Sequence, residues 1–466
     1  MTANVIKLPL VNRLGETIEK LNQEFAVVSV GSSVRILREQ VDPATGAIEM
    51  SLLRPGDFLT VTKNRISESL QDQSVSQFFL EHRQRREYRK IDFYPGQAPA
   101  DVYNLWHGFA VKPSPGQTQK FWTFVSDVIC AGNLDAYQFV RRWLAHLVQR
   151  PEELPGTALV LRGKQGTGKN TFADTIGKLV GQHYITVNSL DQITGRFNGH
   201  LANKLLVHAN EAIWGGNKTA EGALKAMITD DPLPLELKNI DTTSIRNFKR
   251  LIVSSNEQWA VPRGTDDRRF FVLDISDSQK ENQVYFAAIR EELEAGGLPG
   301  LLHDLQNEDL TSFNPRVMPA TGAGLDMKLK SASNTVRWLY EFLDAGYVQG
   351  SNNSLSPYDF ALNIAGGGAE KKTVYENYLR FCDSIDRSRP EAVSQFFKTL
   401  RQALPEIRDR RGSSAGAVRP REVVFPSLTA ARETFERYFK QPGMIVWSER
   451  DEPALDADQV SKLKIA

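Results

Sequence analysis

The stretch that decides the fold is Gly163-Lys164-Gln165-Gly166-Thr167-Gly168-Lys169-Asn170-Thr171. It follows the apolar run 158–161 (ALVL) and precedes the helix-forming residues 172–176 (FADTI). A strand that ends in a glycine-rich loop and then opens a helix offers backbone N–H groups and a helix N-terminus to a phosphate. Lys169 is placed to reach the β- and γ-phosphates of a nucleotide. The whole stretch is therefore predicted to bind a nucleotide within an α/β fold.

One position in this stretch departs from the usual nucleotide-binding pattern. Gly163, Gly168 and Lys169 complete G-x-x-x-x-G-K, after which a serine or threonine hydroxyl normally holds Mg²⁺. Asn170 stands there instead, and Thr171 could replace the hydroxyl only if the helix start were shifted. An amide oxygen can still ligate Mg²⁺, although it supplies less charge than a carboxylate. We expect ATP and Mg²⁺ as cofactors, with Asn170 on the metal side.

A second apolar run, residues 204–209 (KLLVHA), ends in Asn210-Glu211. This is typical of the ATPase strand whose acidic pair holds Mg²⁺ and polarises the attacking water. Glu211 is predicted to be the catalytic base, and Asn210 and Glu211 are predicted to join Asn170 at the metal. The alternative is a buried strand capped by a polar turn. His208 is interpreted as a hydrogen-bonded core residue, with a ligand role as the alternative.

A third apolar run, residues 250–255 (RLIVSS), ends in Asn256. A polar side chain at such a strand end can contact the γ-phosphate or the attacking water. Arg268 and Arg269 follow two aspartates and precede the apolar run 270–273. They either form a structural ion pair with those aspartates or supply an arginine finger that stabilises the transferring phosphoryl group. Arg269 is slightly preferred as the finger.

Between Glu211 and Asn256 the sequence predicts an extended segment with a polar turn. Such a hairpin would place Lys238 near its tip, and Lys225 lies upstream of it. Both lysines are predicted to contact the phosphate backbone of DNA in a central channel. For Lys238 the alternative is an exposed loop lysine with no such role.

The composition limits how nucleic acid can be bound. The chain has 466 residues, room for about three domains, and its 57 Lys and Arg nearly balance its 56 Asp and Glu. Without a global basic field, DNA contacts must come from local patches or from a pore lined by several subunits. Cys130 and Cys382 are read as free thiols of a reducing compartment. No signal peptide or membrane-length apolar run occurs, which favours the cytoplasm of a bacterial host or phage-infected cell.

The flanking regions predict further domains. Residues 14–62 read as a helix followed by short strands, the last of them at 58–61, and residues 74–90 read as a helix ending in a basic run. That run is either a solvated face or a nucleic-acid contact. Two amphipathic helices are predicted within 117–150. Near the C-terminus, a helix at 394–404 precedes a hairpin whose basic tip includes Arg410 and Arg411, which suggests a DNA-binding winged helix.

The order of these motifs resembles the superfamily 3 helicase branch of the AAA+ ATPases. It is more closely similar to the helicase portion of phage and plasmid primase–helicases, relatives of the poxvirus-type primase–helicase. The resemblance covers roughly residues 75–280. Its supporting phrases are 103–109 (YNLWHGF), 142–145 (RWLA), 194–198 (TGRFN), 210–214 (NEAIW) and 255–257 (SNE).

This resemblance implies an AAA+ P-loop ATPase core flanked by a small N-terminal α+β domain with a helical collar and by a C-terminal winged-helix-like domain. It further implies a homo-hexameric ring with ATP between subunits, an arginine finger supplied by the neighbour, and single-stranded DNA in the channel. The first 90 residues are too short for a primase domain and lack its acidic metal motif, so a separate primase or polymerase is an expected partner. The expected segments are the N-terminal domain 1–72, the collar 73–150, the ATPase domain 151–312, a linker 313–330 and the C-terminal domain 331–466.

The expected function is that of an ATP-dependent, ring-forming DNA helicase or replication-initiation ATPase of phage or mobile-element type. Lys169, Glu211, Asn256 and the arginine pair favour an active enzyme. The amides Asn170 and Asn210 leave open a nucleotide-dependent DNA-binding ring with little or no hydrolysis. A motor for DNA loading or packaging is a third possibility.

Overall fold

A computed structural model describes residues 7–43, 48–65, 74–194, 199–211, 218–235, 243–256, 268–346, 368–385, 389–411, 421–440, 443 and 445–448. Contacts divide the chain into two compact units. The first unit comprises residues 1–260 and 274–317, and the second comprises residues 261–273 and 318–466. Within the ranges given above, no helix is long and apolar enough to cross a membrane.

The chain begins with a small α+β arrangement in the first unit. Its four-stranded sheet has the order β3-β2-β1-β4, antiparallel except for the parallel β1–β4 pair. The rings of Phe25, Phe58 and Phe79 pack edge to face in its core, with centroids 4.9 to 6.2 Å apart. The elements are α1 (Lys7–Glu24), β1 (Phe25–Val30), β2 (Ser33–Val41), β3 (Ile48–Leu53), α2 (Pro55–Thr62), α3 (Val75–Glu81) and β4 (Glu87–Tyr88).

Two predictions in this region were wrong. Residues 58–61, predicted to be a strand, lie in α2, because Pro55 at its first turn fixes a helical φ and needs no amide partner. Residues 82–90, predicted to continue a helix, do not, since α3 ends at Glu81 and β4 follows. Three arginines of the basic run lie beside carboxylates: Arg85 contacts Glu87, Arg86 contacts Glu39, and Arg89 contacts Asp101.

The two helices predicted within 117–150 are present. The first, α4 (Gln119–Phe124), continues as a single π-helical turn (Val125–Ile129), and the second is α5 (Leu134–Gln149). Their aromatic residues belong to the core, since Phe121, Phe124 and Trp143 are at most 1% exposed. Two short strands, β5 (Lys90–Asp92) and β6 (Val102–Asn104), precede them as a parallel pair.

A mainly parallel sheet carries the predicted nucleotide-binding motifs. Its order is β13-β7-β12-β9-β8, and the β7–β12, β12–β9 and β9–β8 pairs are parallel. Every residue of β7 and of β12 is buried, as expected for strands covered on both faces. The elements are β7 (Ala158–Arg162), α6 (Lys169–Val180), β8 (Tyr184–Val187), α7 (Leu190–Thr194), β9 (Leu206–Asn210), α8 (Lys218–Thr229), β10 (Leu233–Leu235), β11 (Thr243–Ile245), β12 (Arg250–Ser255), β13 (Phe270–Asp274), α9 (Gln283–Glu292) and α10 (Leu298–Gln306). Short 3₁₀ turns at Gly181–His183 and Gly199–Leu201 and a π turn at Leu293–Gly297 complete this part of the chain.

The second unit contains the predicted C-terminal helices and hairpin. Its small antiparallel sheet has the order β14-β16-β15, and Trp338, Tyr378, Phe396 and Phe435 lie in its core. The elements are α11 (Gly322–Ser331), α12 (Asn334–Ala345), β14 (Gly368–Glu370), α13 (Lys371–Ser384), α14 (Val393–Ala403), β15 (Arg408–Arg411), β16 (Arg421–Val424) and α15 (Leu428–Tyr438). Residues 322–330 were predicted to be linker but lie in α11, because Thr321 caps this helix and Ala323, Leu325 and Met327 are buried.

Both cysteines of the chain are free, as predicted, and both are buried. Cys130 lies in the first unit and Cys382 in the second. Burial raises the pKa of the Cys130 thiol to about 12 and also raises that of Cys382.

Candidate nucleotide site

Residues 163–168, named here the glycine loop, join β7 to α6. The helix begins at Lys169, and Gly168 before it has a φ of 97°, in the left-handed region that favours glycine. A Cβ atom on Gly168 would lie 2.8 Å from ring carbons of both Phe124 and Phe286. Only a glycine therefore allows the loop backbone to pack against these two rings while turning into α6.

A neighbouring segment, residues 274–281, braces the glycine loop. Arg162, at the end of β7, contacts the Asp274 carboxylate at 2.5 and 2.8 Å. Lys164 Nζ lies 2.6 Å from Asp277 Oδ2, and the Glu281 amide donates a 3.0 Å hydrogen bond to the Gly166 carbonyl. The sequence does not indicate a role for this segment, since the spacing of its polar residues is that of an ordinary surface turn.

Lys169 is buried at the base of the loop, with 6% of its surface exposed. Its ammonium donates to the carbonyls of Gly163 at 2.6 Å and Lys164 at 2.7 Å, and to Asn256 Oδ1 at 2.8 Å. Burial lowers the pKa of Lys169, an effect opposed by the negative charges of Glu211 and Asp277. The lysine is thus held at the loop by acceptors that a phosphate oxygen can replace.

Asn256 connects Lys169 to Glu211. Its Nδ2 donates a 2.9 Å hydrogen bond to Glu211 Oε1 while its Oδ1 accepts from Lys169, an orientation that is fixed because an ammonium can only donate. Asn256 follows β12 and Glu211 follows β9, and these strands are parallel neighbours. Three residues predicted from separate motifs therefore form one cluster, which we call the Lys–Asn–Glu cluster.

Glu211 adopts an uncommon backbone conformation. Its φ is 53°, a region that non-glycine residues rarely occupy and that costs on the order of 1 kcal/mol or more. A 2.9 Å hydrogen bond from its amide to the Ser254 carbonyl holds it there. The conformation leaves the Glu211 side chain exposed at the carboxyl end of the sheet, where ligands bind in open α/β folds.

The predicted metal-side residues lie at the ends of the same elements. Asn170 is exposed in the first turn of α6, and Asn210 is the half-buried last residue of β9. Because α6 begins at Lys169, the helix start is not shifted, and Thr171 does not take the place of the missing hydroxyl. Amide and carboxylate oxygens are ligands that Mg²⁺ accepts together with waters. That Asn170, Asn210 and Glu211 hold this ion stays a prediction.

The other predicted loop residues have different environments. Gln165 is exposed, whereas Thr167 is fully buried and its hydroxyl donates a 2.9 Å hydrogen bond to the Lys164 carbonyl. Arg268 is exposed and Arg269 is half-buried directly before β13. The two aspartates that precede them lie outside the described residues, so the choice between ion pair and arginine finger stays a prediction.

The predicted DNA-contacting residues are spread over both units. Lys238 lies outside the described residues, but β10 and β11 on either side of it pair antiparallel, as a hairpin requires. Lys225 is half-buried in α8. Arg410 and Arg411 are exposed on β15, where Arg410 also contacts Glu422 at 2.9 Å. Their DNA contacts stay predictions.

The part of the chain that carries the Lys–Asn–Glu cluster is similar to known proteins. Residues 161–269, from the end of β7 through the Lys–Asn–Glu cluster to Arg269, match a family of unknown function, DUF5906. The chain is also 34% identical over 154 residues to a DNA primase-polymerase of Nitratiruptor phage NrS-1. That match covers 32% of this chain and 21% of the relative, so the chain spans about a fifth of the relative's length.

Solved structures of the NrS-1 C-terminal region have a similar fold. An apo structure of residues 305–718 of NrS-1 superposes with a TM-score of 0.63 and 17% identity, covering 89% of this chain and 99% of that one. An A-form apo structure of the same region gives a TM-score of 0.62 and 17% identity, covering 88% and 98%. At this identity the likeness concerns the fold alone. The chain is thus similar in sequence to part of a phage DNA primase-polymerase and in fold to the NrS-1 C-terminal region.

Proposed function

We propose that this chain is an ATP-dependent, ring-forming DNA helicase or replication-initiation ATPase of phage or mobile-element type, with an AAA+ core. The observation that carries the proposal is the Lys–Asn–Glu cluster beside the glycine loop. A buried lysine, a bridging amide and an exposed carboxylate meet where a loop and a helix N-terminus offer N–H groups to phosphate.

Each member of the cluster has a role in hydrolysis. The Lys169 ammonium gives up its hydrogen bonds to the loop carbonyls, donates instead to oxygens of the β- and γ-phosphates, and so offsets their charge. Glu211 accepts the proton of the attacking water as the water oxygen bonds to the γ-phosphorus and the bond to the ADP oxygen breaks. Asn256 contacts both residues, so it registers whether the γ-phosphate is present. Asn170, Asn210 and Glu211 would hold Mg²⁺, which offsets phosphate charge.

Ring assembly supplies the remaining parts of the machinery. Arg269, or Arg268, would reach the nucleotide of the neighbouring subunit as an arginine finger. The hairpin that carries Lys238 would follow single-stranded DNA in the channel, with Lys225 nearby in sequence, and Arg410 and Arg411 would contact duplex DNA or a partner. The name of the NrS-1 relative supports a place in phage DNA synthesis beside a primase or polymerase.

One observation favours a second candidate function. Both positions where ATPases usually carry a hydroxyl and a carboxylate for Mg²⁺ hold neutral amides, Asn170 and Asn210. A weakly held metal would slow hydrolysis and leave a nucleotide-dependent DNA-binding ring. A DNA loading or packaging motor would use the same active site on a different task.

Steady-state ATP hydrolysis, with and without single-stranded DNA, tests the proposal. Wild type should hydrolyse ATP faster with DNA present, while Lys169→Ala and Glu211→Gln should both be inactive. If wild type is no faster than Glu211→Gln, the ATPase proposal fails and the non-hydrolysing ring replaces it. For an active enzyme, strand displacement on 3′- and 5′-tailed duplexes separates a helicase from a loading or packaging motor.

A further inference from the structure

Four polar side chains, Asp174, Tyr184, His208 and Ser254, are linked by hydrogen bonds from the exposed Asp174 on α6 to the buried Ser254 on β12, and we call them the polar chain. Asp174 of α6 accepts a 2.8 Å hydrogen bond from the Tyr184 hydroxyl, which lies 3.2 Å from Nδ1 of His208. His208 Nε2 in turn lies 2.8 Å from Ser254 Oγ. His208 and Ser254 are completely buried, so water cannot satisfy their polar atoms and the hydrogen bonds within the protein must do so.

The Asp174 carboxylate can only accept, and this fixes the direction of each hydrogen bond along the polar chain. The Tyr184 hydroxyl donates its one proton to the Asp174 carboxylate, so it must accept from His208 and from Thr186, whose hydroxyl lies 2.9 Å away. Because the Tyr184 hydroxyl can only accept from His208, Nδ1 of His208 carries a proton, and Nε2 of the neutral ring accepts from the Ser254 hydroxyl. This buried serine is out of reach of any substrate, which excludes a hydrolytic triad.

Both ends of the polar chain lie on elements that carry the cluster. The Ser254 carbonyl accepts a 2.9 Å hydrogen bond from the Glu211 amide, and Ser254 lies two residues before Asn256. Asp174 lies in α6, the helix that Lys169 begins. A side chain that fixes Ser254 therefore fixes the backbone that Glu211 needs for its uncommon φ.

We propose that the chain Asp174–Tyr184–His208–Ser254 positions the ends of β9 and β12 relative to α6 and thereby sets the distance between Lys169, Asn256 and Glu211. The four are positioning residues for hydrolysis rather than catalytic ones. The proposal rests on the proposed ATPase function for its kinetic consequence, but its structural consequence, the fixed backbone at Glu211, is measurable without hydrolysis.

The kinetic test compares variants along the chain with matched controls elsewhere. Ser254→Ala and His208→Leu should each lower kcat about 10-fold or more while changing KM less than about 2-fold, the usual pattern for residues that orient a catalytic group. The double variant should lose no more than the worse single one, because both interrupt one chain. His208→Gln, which keeps an acceptor for Ser254, should recover part of the loss.

The controls remove similar groups that lie outside the polar chain. Thr175→Val deletes a buried hydroxyl that donates to the Thr171 carbonyl at 2.7 Å, and His146→Leu deletes a buried histidine that contacts Arg250. Both should keep kcat within about 2-fold of wild type. Equal kcat losses in Ser254→Ala and Thr175→Val, or additive losses in the double variant, would overturn the proposal.

Hydrogen exchange at the Glu211 amide provides the readout that does not depend on ATP hydrolysis. Ser254→Ala and His208→Leu should speed its exchange at least 10-fold, and the two controls should leave it unchanged. An unchanged Glu211 amide in Ser254→Ala refutes the positioning role even if wild type is an active ATPase. If the two variants exchange faster at Glu211 but the wild type hydrolyses no ATP, the positioning role stands and only the proposed function is refuted.

Discussion

Lys169 is a buried cation at the base of the glycine loop. Its ammonium is almost fully removed from water and shared among two loop carbonyls and one amide oxygen. All three acceptors are neutral, so an anionic phosphate oxygen is a better partner for a buried ammonium than any of them. This preference for an anion is the physical basis of the proposed nucleotide binding by Lys169.

Replacing Lys169 with alanine should weaken nucleotide binding. A hydrogen bond to a charged group contributes about 1.5 to 3 kcal/mol, so Lys169→Ala should raise the Kd for ATP by about 10- to 100-fold. Titration with a fluorescent ATP analogue measures this. Lys164→Ala is the matched control, because Lys164 is an exposed loop lysine that pairs with Asp277, and it should bind within a few-fold of wild type. Equal losses in the two variants would show that the loop attracts nucleotide only through general positive charge.

The two amides on the metal side make a prediction about magnesium. Asn210→Asp adds a carboxylate at the end of β9, next to Glu211, and Mg²⁺ prefers charged oxygen ligands. We expect the Mg²⁺ concentration that gives half-maximal ATP hydrolysis to fall several-fold, and kcat to rise. A magnesium titration at saturating ATP measures both. An unchanged magnesium requirement would mean that Asn210 does not face the metal.

At the scale of single side chains, the sequence predicted Lys169, Glu211 and Asn256 as residues of one site, but not the hydrogen bonds that join them. Lys169, Glu211 and Asn256 follow apolar runs that end together, so their proximity follows from the parallel sheet. The contacts that hold them could not be predicted. Asp277 and Glu281 lie far along the chain, and His208 was recognisable as a core residue without any sign of its link to Ser254.

Among the elements, the junction between the glycine loop and α6 leaves little room for a side chain. Gly168→Ala places a methyl group at a φ of 97° and within 2.8 Å of Phe124 and Phe286. We expect it to lower the free energy of unfolding by about 2 to 4 kcal/mol and to weaken ATP binding. Urea denaturation and nucleotide titration measure the two effects.

Gly222→Ala supplies the control for this substitution. Gly222 lies inside α8, and a Cβ atom there would meet nothing within 4 Å. Alanine has the higher helix propensity, so this variant should be as stable as wild type or more stable by up to about 1 kcal/mol. Similar destabilisation in the two variants would contradict the steric argument at Gly168.

Buried histidines should make the first unit sensitive to acid. Burial lowers the pKa of His146 to about 3 and those of His183 and His208 to about 4. His146 Nε2 lies 3.4 Å from Glu153, but burial and the adjacent Arg250 outweigh this carboxylate. The unfolded chain, with histidine pKa values near 6.5, therefore binds protons first as the pH falls.

The resulting loss of stability belongs to a defined pH window. It should be absent above about pH 6.5 and should grow to about 1 kcal/mol per histidine for each pH unit below that value, until the folded-state pKa values are reached. Urea denaturation at pH 7.5, 6.5, 5.5 and 4.5 measures it, and His208→Gln should make the dependence less steep. A free energy of unfolding that stays constant down to pH 4.5 would contradict the assignment of neutral histidines.

The elements show where local pattern is enough and where it is not. Strand β12 occupies the predicted residues 250–255, because the β-branched and apolar residues 251–253 favour a buried strand in a covered sheet. Helix α2 was mistaken for a strand, since Phe58-Leu59-Thr60-Val61 favours strands locally. Packing of Phe58 between Phe25 and Phe79, far apart in sequence, outweighed that preference.

For the whole molecule, positive and negative residues nearly balance, so strong attraction of DNA would depend on assembly of several subunits. A chain with net charge +1 attracts DNA weakly as a monomer, whereas a ring brings the same local basic residue of every subunit into one channel. The fold likeness to the NrS-1 C-terminal region covers 89% of this chain, so it includes residues of both units. Neither the ring nor its size follows from the fold.

Mixed assemblies test whether neighbouring subunits share an active site. Lys169→Ala subunits lack the proposed nucleotide-binding lysine but keep Arg269. Arg269→Ala subunits lack the proposed finger but keep Lys169. Mixing them should create some interfaces with both residues intact, so that up to about a quarter of wild-type ATPase activity returns from two inactive proteins. Replacing Arg269→Ala by Arg268→Ala identifies which arginine acts. No recovery in either mixture, with subunit exchange verified, would exclude a finger supplied by the neighbour.

The burial of both native thiols has a practical consequence for following such assemblies. With Cys130 and Cys382 inside the two units and the pKa of each raised, the folded chain offers thiol-reactive dyes almost no thiolate. A single cysteine introduced at an exposed position, such as Lys178 on α6, would be labelled selectively without removing the native ones. Single-molecule fluorescence can therefore count subunits and follow their exchange on an otherwise unaltered chain.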